Sequence, residues 1–401
     1  MSAAVIDLPA LSYEDAPDAH EAHRRIARAR RTAAVAQGAH GLELLTYEVV
    51  HAALRDPRMC VPRGLGLEAQ GITSGQLWDR AVTSLLGLDG EDHGRLRRLV
   101  CKAFTPRSVK RLERTITGII TGLVEPLLPV GRCEVVEDVA RPYPVPVIAE
   151  LLGAPSEDSK LFSGWADDVF KLFGWNVAED EPLILASWGE LDDYIDGMVA
   201  DRRTSLSDDL ISELIRAEDD GDRLTIEELR MLAAGILMAG TDTTRNQLAA
   251  AVDVLCDHPD QWELLAEHPE LAMNAVEELM RFYPVVFGTM RMTTEDVEYA
   301  GVPIAAGTFV LCNTAGANRD PAVYDEPDTL DITRRAAAPM QTFGAGPHYC
   351  LGANLARREL AEALAVMAGQ MRNLRRAAPA TWKPVVGVTG PASVPIEFDV
   401  R

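Results

Sequence analysis

Cysteine is scarce in this chain, and the spacing of the cysteines excludes two kinds of structure. There are six cysteines among 401 residues, and no two of them are spaced as C-x-x-C. In so long a chain this argues against a disulfide framework and against a zinc ribbon. We therefore expect five of the six to be small buried hydrophobic residues. The sixth, Cys350, differs because of its neighbours.

Positive charge and long apolar runs are also lacking. The formal net charge is -22, with 39 Lys and Arg against 61 Asp and Glu. Nucleic acid and anionic membrane surfaces both attract basic proteins, so the charge argues against either as a partner. No apolar run approaches the roughly 20 residues that span a bilayer. The first twenty residues have no basic stretch before an apolar one, as a secretory signal would have. The sequence therefore indicates a cytoplasmic protein.

Helical patterns dominate the rest of the sequence, and no repeat or low-complexity tract divides it. Short strand-like runs occur near residues 42–47, 297–310 and 394–398. Helices are predicted over residues 93–104, 225–257 and 271–282. Thr225 and Glu228 have capping-box spacing at the start of the longest one. We expect a single domain over residues 1–401, mainly α with small β-sheets built partly from both chain ends.

A glycine-rich loop surrounds Cys350. Residues 343–352 read Phe-Gly-Ala-Gly-Pro-His-Tyr-Cys-Leu-Gly, and a helical run follows over 353–367. Glycine permits positive φ and a close approach of the backbone to a flat ligand. Backbone N–H groups and the dipole at a helix N-terminus stabilise a nearby thiolate. A thiolate is the axial ligand with which a haem iron cleaves the O–O bond. The alternative is an incidental core cysteine in a flexible loop.

A polar interruption divides the apolar pattern of the long helix. Residues 239–244 read Ala-Gly-Thr-Asp-Thr-Thr, with apolar runs on both sides. A glycine and a buried carboxylate are each unfavourable in a helix interior, so their coincidence indicates a functional site. Small residues let a planar group lie against the helix, and adjacent hydroxyl and carboxylate groups can relay protons to a bound oxygen ligand. The alternative is an ordinary kink with a solvated aspartate.

Four segments in this order resemble the cytochrome P-450 family. The spacing F-x-x-G-x-H-x-C-x-G is similar to the family's cysteine-ligand signature, and residues 239–244 resemble its oxygen-binding motif. Glu278 and Arg281 resemble its E-x-x-R pair. Residues 89–98 resemble its D-P-P-E-H-T-R-L-R-R segment, with Gly90 and Glu91 in place of the prolines. The resemblance begins at about residue 44, and residues 1–40 match only loosely.

The resemblance implies a cytochrome P-450 fold, in which a triangular helical body encloses one haem b. It implies Cys350 as the iron ligand, Thr243 as the hydroxyl beside iron-bound oxygen, and Asp242 as the acid that connects that site to solvent. Glu278 and Arg281 are implied as a structural ion pair, and Arg334 is a candidate third member. The other implied haem contacts are His93, Arg97, Ala239, Gly240, Arg291, Phe343, Gly344, His348 and Gly352.

The function implied is a monooxygenase that inserts one atom of O2 into an apolar organic molecule by hydroxylation or epoxidation. Electrons would come from a ferredoxin and its reductase, with the ferredoxin docked on the proximal face. The implied pocket walls include residues 162–175, Val285, Val286, Phe287 and Val388. Two alternatives stay open: a peroxygenase or a coupling or isomerising haem-thiolate relative, and a non-catalytic haem-binding sensor. Asp242 and Thr243 favour the monooxygenase, because a peroxide user needs no proton relay.

Overall fold

The protein is described by a computed structural model over residues 7–174, 176–219, 224–335, 337–385 and 387–401. Within these ranges most of the ordered backbone is helical and the strands are short. The helices are α1 (Ala19–Thr32), α2 (Tyr47–Ala53), α3 (Gln76–Thr83), α4 (Gly90–Val100), α5 (Pro106–Arg111), α6 (Glu113–Val124), α7 (Pro144–Leu152), α8 (Ser159–Val169), α9 (Val177–Thr204), α10 (Leu210–Asp219), α11 (Ile226–Cys256), α12 (Pro259–Glu267), α13 (Ala272–Phe282), α14 (Thr314–Asn318) and α15 (Ala353–Gln370). The strands are β1 (Val35–Gln37), β2 (Leu42–Leu44), β3 (Met59–Cys60), β4 (Arg132–Glu134), β5 (Thr289–Thr293), β6 (Val297–Tyr299), β7 (Val302–Ile304), β8 (Phe309–Cys312), β9 (Met371–Arg376), β10 (Thr381–Trp382), β11 (Pro391–Ser393) and β12 (Pro395–Val400).

Two compact units share the chain, and each combines segments that are distant in sequence. Unit 1 comprises Met1–Pro62, Asn274–Cys350 and Thr381–Ala392. Unit 2 comprises Arg63–Met273, Leu351–Ala380 and Ser393–Arg401. The single domain that the sequence predicts over 1–401 stays a prediction.

Unit 1 is built around a five-stranded sheet with the order β1-β2-β8-β5-β3. Strand β2 runs parallel to β8, with Leu42 opposite Val310, and the other neighbours are antiparallel. Burial alternates along β8, as expected for a strand with one face towards a core. Leu44, Val50 and Val310 are among the residues of that core.

Helix α11 runs through the interior of unit 2, where α7, α8, α9 and α15 pack against it. The predicted capping box is present at its start. The Thr225 hydroxyl accepts a hydrogen bond from the Glu228 N–H at 3.2 Å, and the Glu228 carboxylate accepts from the Thr225 N–H at 2.9 Å. The helix is capped by Thr225 and Asp257, and these are the first and last residues of the predicted range 225–257. The prediction of this helix is therefore confirmed.

The other predicted elements are close to those observed. Helix α4 continues into a 3-10 turn over Cys101–Phe104, and Pro106 then begins α5, as expected for a proline at a first helical position. Helices α13 and α15 also lie where the sequence predicts them. No helix in the described ranges is both long and apolar enough to cross a membrane.

Candidate active site

The cysteine loop of unit 1 requires two of its glycines. Gly344 and Gly346 have φ of 69° and 68°, in the left-handed region that favours glycine. A Cβ on Gly346 would lie 2.5 Å from the Leu54 carbonyl oxygen, so no other residue fits there. The Cys350 N–H donates to the Phe343 carbonyl at 2.9 Å and closes the loop. Cys350 is exposed, and α15 begins at Ala353. The loop thus presents a thiol just before a helix N-terminus.

The loop also contains the other predicted haem contacts Phe343, His348 and Gly352. Phe343 is buried, and His348 is half-buried at the end of a 3-10 turn over Gly346–His348. Gly352 caps the N-terminus of α15.

Arg291 is a buried cation on β5. Arg291 is 5% exposed, and its Nη1 donates a hydrogen bond to the Met290 carbonyl at 2.7 Å. No carboxylate forms an ion pair with it in the part of the chain that the structure describes. A buried guanidinium without an anion is unfavourable. The surroundings of Arg291 therefore fit an anionic group such as a haem propionate.

Glu278 and Arg281 form a buried, bidentate ion pair, and Arg334 completes it. The Arg281 guanidinium donates to the two Glu278 oxygens at 2.7 and 2.8 Å. Arg334 Nε donates to Glu278 Oε1 at 3.0 Å. Arg281 also donates to the backbone carbonyls of Asn318 and Pro327. The pair thus anchors the segment that precedes the cysteine loop.

Helix α11 presents a small residue and a hydroxyl on one face. Ala239 is exposed and Thr243, one turn later, is partly exposed. The Thr243 hydroxyl donates to the Ala239 carbonyl at 2.7 Å. Asp242 is only 4% exposed and forms an ion pair with Arg245, so the alternative of a solvated aspartate is wrong.

Gly240 provides space for another helix. A Cβ at this position would lie 2.5 Å from Cδ1 of Ile148 on α7. The side of α11 that the glycine leaves open is therefore occupied by a protein side chain, which sequence reasoning did not foresee.

Helix α4 carries His93 and Arg97 one turn apart. His93 is buried and Arg97 is half-buried. Gly90, at the start of the helix, has φ of 65°. Proline is confined to a φ near -65°, so this turn cannot have the backbone of the proline-containing segment it resembles.

The pocket residues predicted in unit 1 lie around one isolated β-bridge. Val286 pairs with Val388, and the Thr389 N–H donates to the Val285 carbonyl at 2.9 Å. Phe287 is buried beside them. In unit 2, the aromatic residues Phe162 and Trp165 pack edge to face at 5.5 Å. Trp175 lies outside the described residues.

The sequence did not predict two features of the structure. Arg245 and Asp167 form an ion-pair chain with Asp242, and the only local signal for it was the three-residue spacing of Asp242 and Arg245. The expectation of five buried cysteines was wrong, because Cys101 is exposed and only Cys312 is fully buried. None of the six cysteines, all of which lie in described ranges, forms a disulfide.

Known proteins match the chain in sequence and in structure. The sequence profile described as "Cytochrome P450" matches residues 149–368. Luteothin monooxygenase of Streptomyces thioluteus is 37% identical over 98% of this chain and 96% of its own. Mycinamicin IV hydroxylase/epoxidase of Micromonospora griseorubida is 38% identical over 78% of this chain and 79% of its own. The crystal structure of CalO2 superposes with a TM-score of 0.90 at 33% identity, over 97% of this chain and 98% of that one. The chain therefore belongs to the cytochrome P450 family and is a haem-thiolate monooxygenase.

Proposed function

We propose that this monooxygenase works in the cytoplasm, takes electrons from a ferredoxin, and inserts one oxygen atom into an apolar organic molecule. Haem b, when bound, supplies the activation of O2. Cys350 would be its thiolate ligand. Arg291, His348, His93 and Arg97 would hold its propionates, and the buried charge of Arg291 is the clearest support for that assignment.

The placement of Asp242 and Thr243 carries the proposal. Thr243 lies on the open face of α11, and its hydroxyl can accept a proton and pass one on at Oγ1. Asp242 is buried next to it and is joined through Arg245 and Asp167 to the protein surface. A hydroxyl on the open face of the helix and a carboxylate beside it are the two groups that proton delivery requires.

Substitution of these two residues tests the proposal. Thr243→Ala should retain haem but divert reduced oxygen to hydrogen peroxide, and Asp242→Asn should slow turnover by about 10²–10⁴-fold. Thr241→Ala is the matched control, because the Thr241 hydroxyl is buried and donates to the Leu237 carbonyl. Product yield per NADH oxidised and peroxide yield are the measurements. Normal coupling and rate in both variants would refute the relay and favour the peroxygenase.

An apolar, uncharged substrate is proposed from the lining of unit 1. Val285, Val286, Phe287 and Val388 converge there, and none of them offers a charge to a ligand. The related enzymes act on luteothin and mycinamicin IV, so a natural-product scaffold is the class to screen first. A shift of the haem spin state on titration would identify binders.

A ferredoxin is proposed as the electron donor because one surface of unit 2 is basic. Arg98, Lys102, Arg107 and Lys110 are exposed, and none of them forms an ion pair with any residue that the structure describes. The 3-10 turn that bears Lys102 touches the first turn of α15, where Asn354 donates to the Phe104 carbonyl at 3.0 Å. Because α15 begins just after Cys350 in the chain, this basic surface is a suitable dock for an acidic carrier.

A further inference from the structure

Two buried polar atoms on α9 have no hydrogen-bond partner among the residues that the structure describes. They are the indole Nε1 of Trp188 and Oδ1 of Asp192. The two residues are one turn apart on the same face of the helix, and Trp188 is 4% exposed. A buried polar atom that has lost water without gaining a protein partner is costly. These two atoms therefore favour a bound group that supplies both hydrogen bonds.

Neighbouring polar side chains of α9 have partners. Glu190 accepts a hydrogen bond from the Trp165 indole of α8 at 2.9 Å. Asp196, one turn after Asp192, binds the Arg230 guanidinium with both oxygens. The two unsatisfied atoms are therefore a local feature and not a general property of this helix.

Arg80 of α3 packs on the same face of α9. Its guanidinium lies 5.0 Å from the centre of the Trp188 ring and forms an ion pair with the other oxygen of Asp192, Oδ2. The Arg80 side chain is 34% exposed. A partly exposed ion pair and a cation–π contact are both weak interactions, so the guanidinium can turn into solvent at little cost. That movement opens the face to a ligand.

The two atoms together select for a hydroxyl group. The Trp188 N–H donates and the Asp192 carboxylate accepts, so the ligand group must be an acceptor and a donor at once. An ammonium group has no lone pair for the indole, and a carboxylate is repelled by Asp192. An ether or a ketone has no proton to donate. A hydroxyl group satisfies both atoms and carries no charge.

The first turns of α11 lie next to these residues. The Leu85 N–H, just after α3, donates to the Met231 sulfur at 3.2 Å. Arg230, the residue before it, donates to Asp196 of α9 at 2.6 Å. Met231 and Ala239 are about 12 Å apart along α11. A ligand of about that length, held at α9, would reach the open face of α11 at Ala239.

We propose that Trp188 and Asp192 form a subsite for a hydroxyl group of the substrate, which enters as the Arg80 side chain turns into solvent. The hydroxyl oxygen accepts from the Trp188 indole, and its O–H donates to Asp192 Oδ1. The rest of the substrate is apolar and extends along α11. The proposal rests on the apolar substrate proposed above and narrows it to a scaffold with a hydroxyl group remote from the carbon that is oxidised.

Three volatile probes of similar length test the subsite. 1-Octanol can accept and donate a hydrogen bond, methyl octyl ether can only accept, and octane can do neither. Headspace gas chromatography over the ferric holoenzyme measures the Kd of each. The quantity compared is the factor by which a variant changes the Kd of one probe, because the cost of moving that probe out of water then cancels.

The two subsite variants should affect different probes. Trp188→Phe keeps a ring under Arg80 and removes the indole N–H. It should raise the Kd of 1-octanol and of the ether about 3- to 10-fold and leave that of octane unchanged. Asp192→Ala should raise the Kd of 1-octanol alone, by about tenfold or more, since a hydrogen bond to a charged group is the stronger one.

Three control variants separate a bound hydroxyl from a structural role. Arg80→Gln breaks the ion pair between α3 and α9 from its other end and should not raise the Kd of 1-octanol. Trp262→Phe removes an indole N–H that already donates to the Met371 carbonyl at 3.0 Å, and should change no Kd. Asp196→Asn alters a carboxylate that Arg230 already engages at both oxygens, and should also change no Kd.

The predicted selectivity of Trp188→Phe and Asp192→Ala supports the proposal. Equal changes for all three probes overturn it, and so does no change in either variant, since the subsite then holds only water. A loss in Arg80→Gln equal to that in Asp192→Ala also overturns it, because Asp192 then acts through the ion pair. A wild-type protein that binds none of the probes overturns the apolar substrate as well. If the wild type binds all three, the apolar substrate stands whatever the variants show.

Discussion

Three arginines of unit 1 are buried, and two of them have partners that stabilise their charge. Arg281 has the carboxylate of Glu278. Arg319 lies 4.1 Å over the ring of Phe282, donates to the carbonyl of the same residue, and reaches Asp328; burial lowers its pKa to about 10. Arg291 has only a neighbouring carbonyl in the described structure. The unsatisfied charge of Arg291 is the one that a bound anion would stabilise.

We predict that Arg291→Gln weakens haem retention. A hydrogen bond to a charged group contributes about 1.5–3 kcal/mol, which is roughly a 10- to 100-fold change in the dissociation constant of haem. Transfer of haem from the holoenzyme to apomyoglobin measures this. Arg291→Lys should retain more haem than Arg291→Gln, and Arg132→Gln, at an exposed position on β4, should behave as the wild type. Equal transfer rates in all four proteins would contradict the role of Arg291.

Glu43 on β2 makes the stability of the protein dependent on pH. Its carboxylate accepts from Tyr13 at 3.1 Å and from Asn313 at 2.8 Å. Burial nevertheless raises its pKa from 4.5 to about 7. The folded protein therefore holds this proton more tightly than the unfolded chain does. The free energy of unfolding must then fall as the pH rises between these two values.

We predict that Glu43→Gln removes this loss. The raised pKa corresponds to about 3 kcal/mol of stability that is present below pH 4.5 and absent above pH 7. Glutamine keeps an acceptor for Tyr13 and Asn313 and has no proton to lose. Denaturant unfolding of the ferric holoenzyme at several pH values measures the difference between the two proteins. If the difference in unfolding free energy did not grow with pH, the pKa of Glu43 would not be raised in the folded protein, and the prediction would be wrong.

At the scale of elements, α7 and α11 fit together because Gly240 has no side chain. Ile148 on α7 is buried and points at the glycine. The contact is therefore a close packing of two helices, in which an added methyl group would displace Ile148 or part the helices.

We predict that Gly240→Ala destabilises the protein by about 1–3 kcal/mol, as overpacking of a core usually does. Gly240→Ala combined with Ile148→Ala should recover part of the loss, because the shorter side chain makes room for the methyl group. Unfolding free energies of the two single variants and the double variant give the coupling between the sites. Gly235→Ala is the control, since a Cβ there meets no atom within 4 Å. Strict additivity of the two substitutions would show that they do not share a contact.

The elements that local sequence determines were predicted correctly, and most contacts made over long separations were not predicted. The caps of α11 and the glycine positions around Cys350 are set by residues a few positions apart, so the sequence alone was enough to identify them. The contact of Gly240 with Ile148 and the ion pair of Arg245 with Asp167 join distant segments. No spacing rule links such residues, and only the folded chain brings them together. Cys101 was mispredicted for the same reason, because its exposure depends on which face of its turn is covered.

For the whole molecule, the distribution of charge matters more than its sum. The net charge is -22, yet four exposed basic residues from Arg98 to Lys110 have no ion pair in the described structure. Two other arginines of unit 2 already form ion pairs, Arg95 with Glu228 and Arg358 with Glu113 and Glu362. The unpaired residues are those that can attract an acidic partner at a distance.

We predict that reduction by a ferredoxin slows about tenfold or more as salt is raised, since electrostatic steering is screened over about 8 Å at physiological ionic strength. Arg98→Glu and Lys102→Glu should each slow reduction at low salt and leave the spin-state response to substrate unchanged. Arg132→Glu, on β4, is the control of equal charge. Stopped-flow reduction under carbon monoxide measures the rate. A rate that does not depend on salt, or equal slowing by all three variants, would mean that the carrier docks elsewhere.

The parallel pairing of β2 with β8 has a consequence for synthesis on the ribosome. About 270 residues separate Leu42 from its partner Val310. At about 5–20 residues per second, the N-terminal strand waits for tens of seconds before the strand that covers it exists. During that time the edge of β2 that pairs with β8 is available to other chains. The nascent protein is therefore exposed to misassembly from the time β2 emerges until β8 has been made, and a chaperone that binds its first sixty residues should raise the yield of folded enzyme.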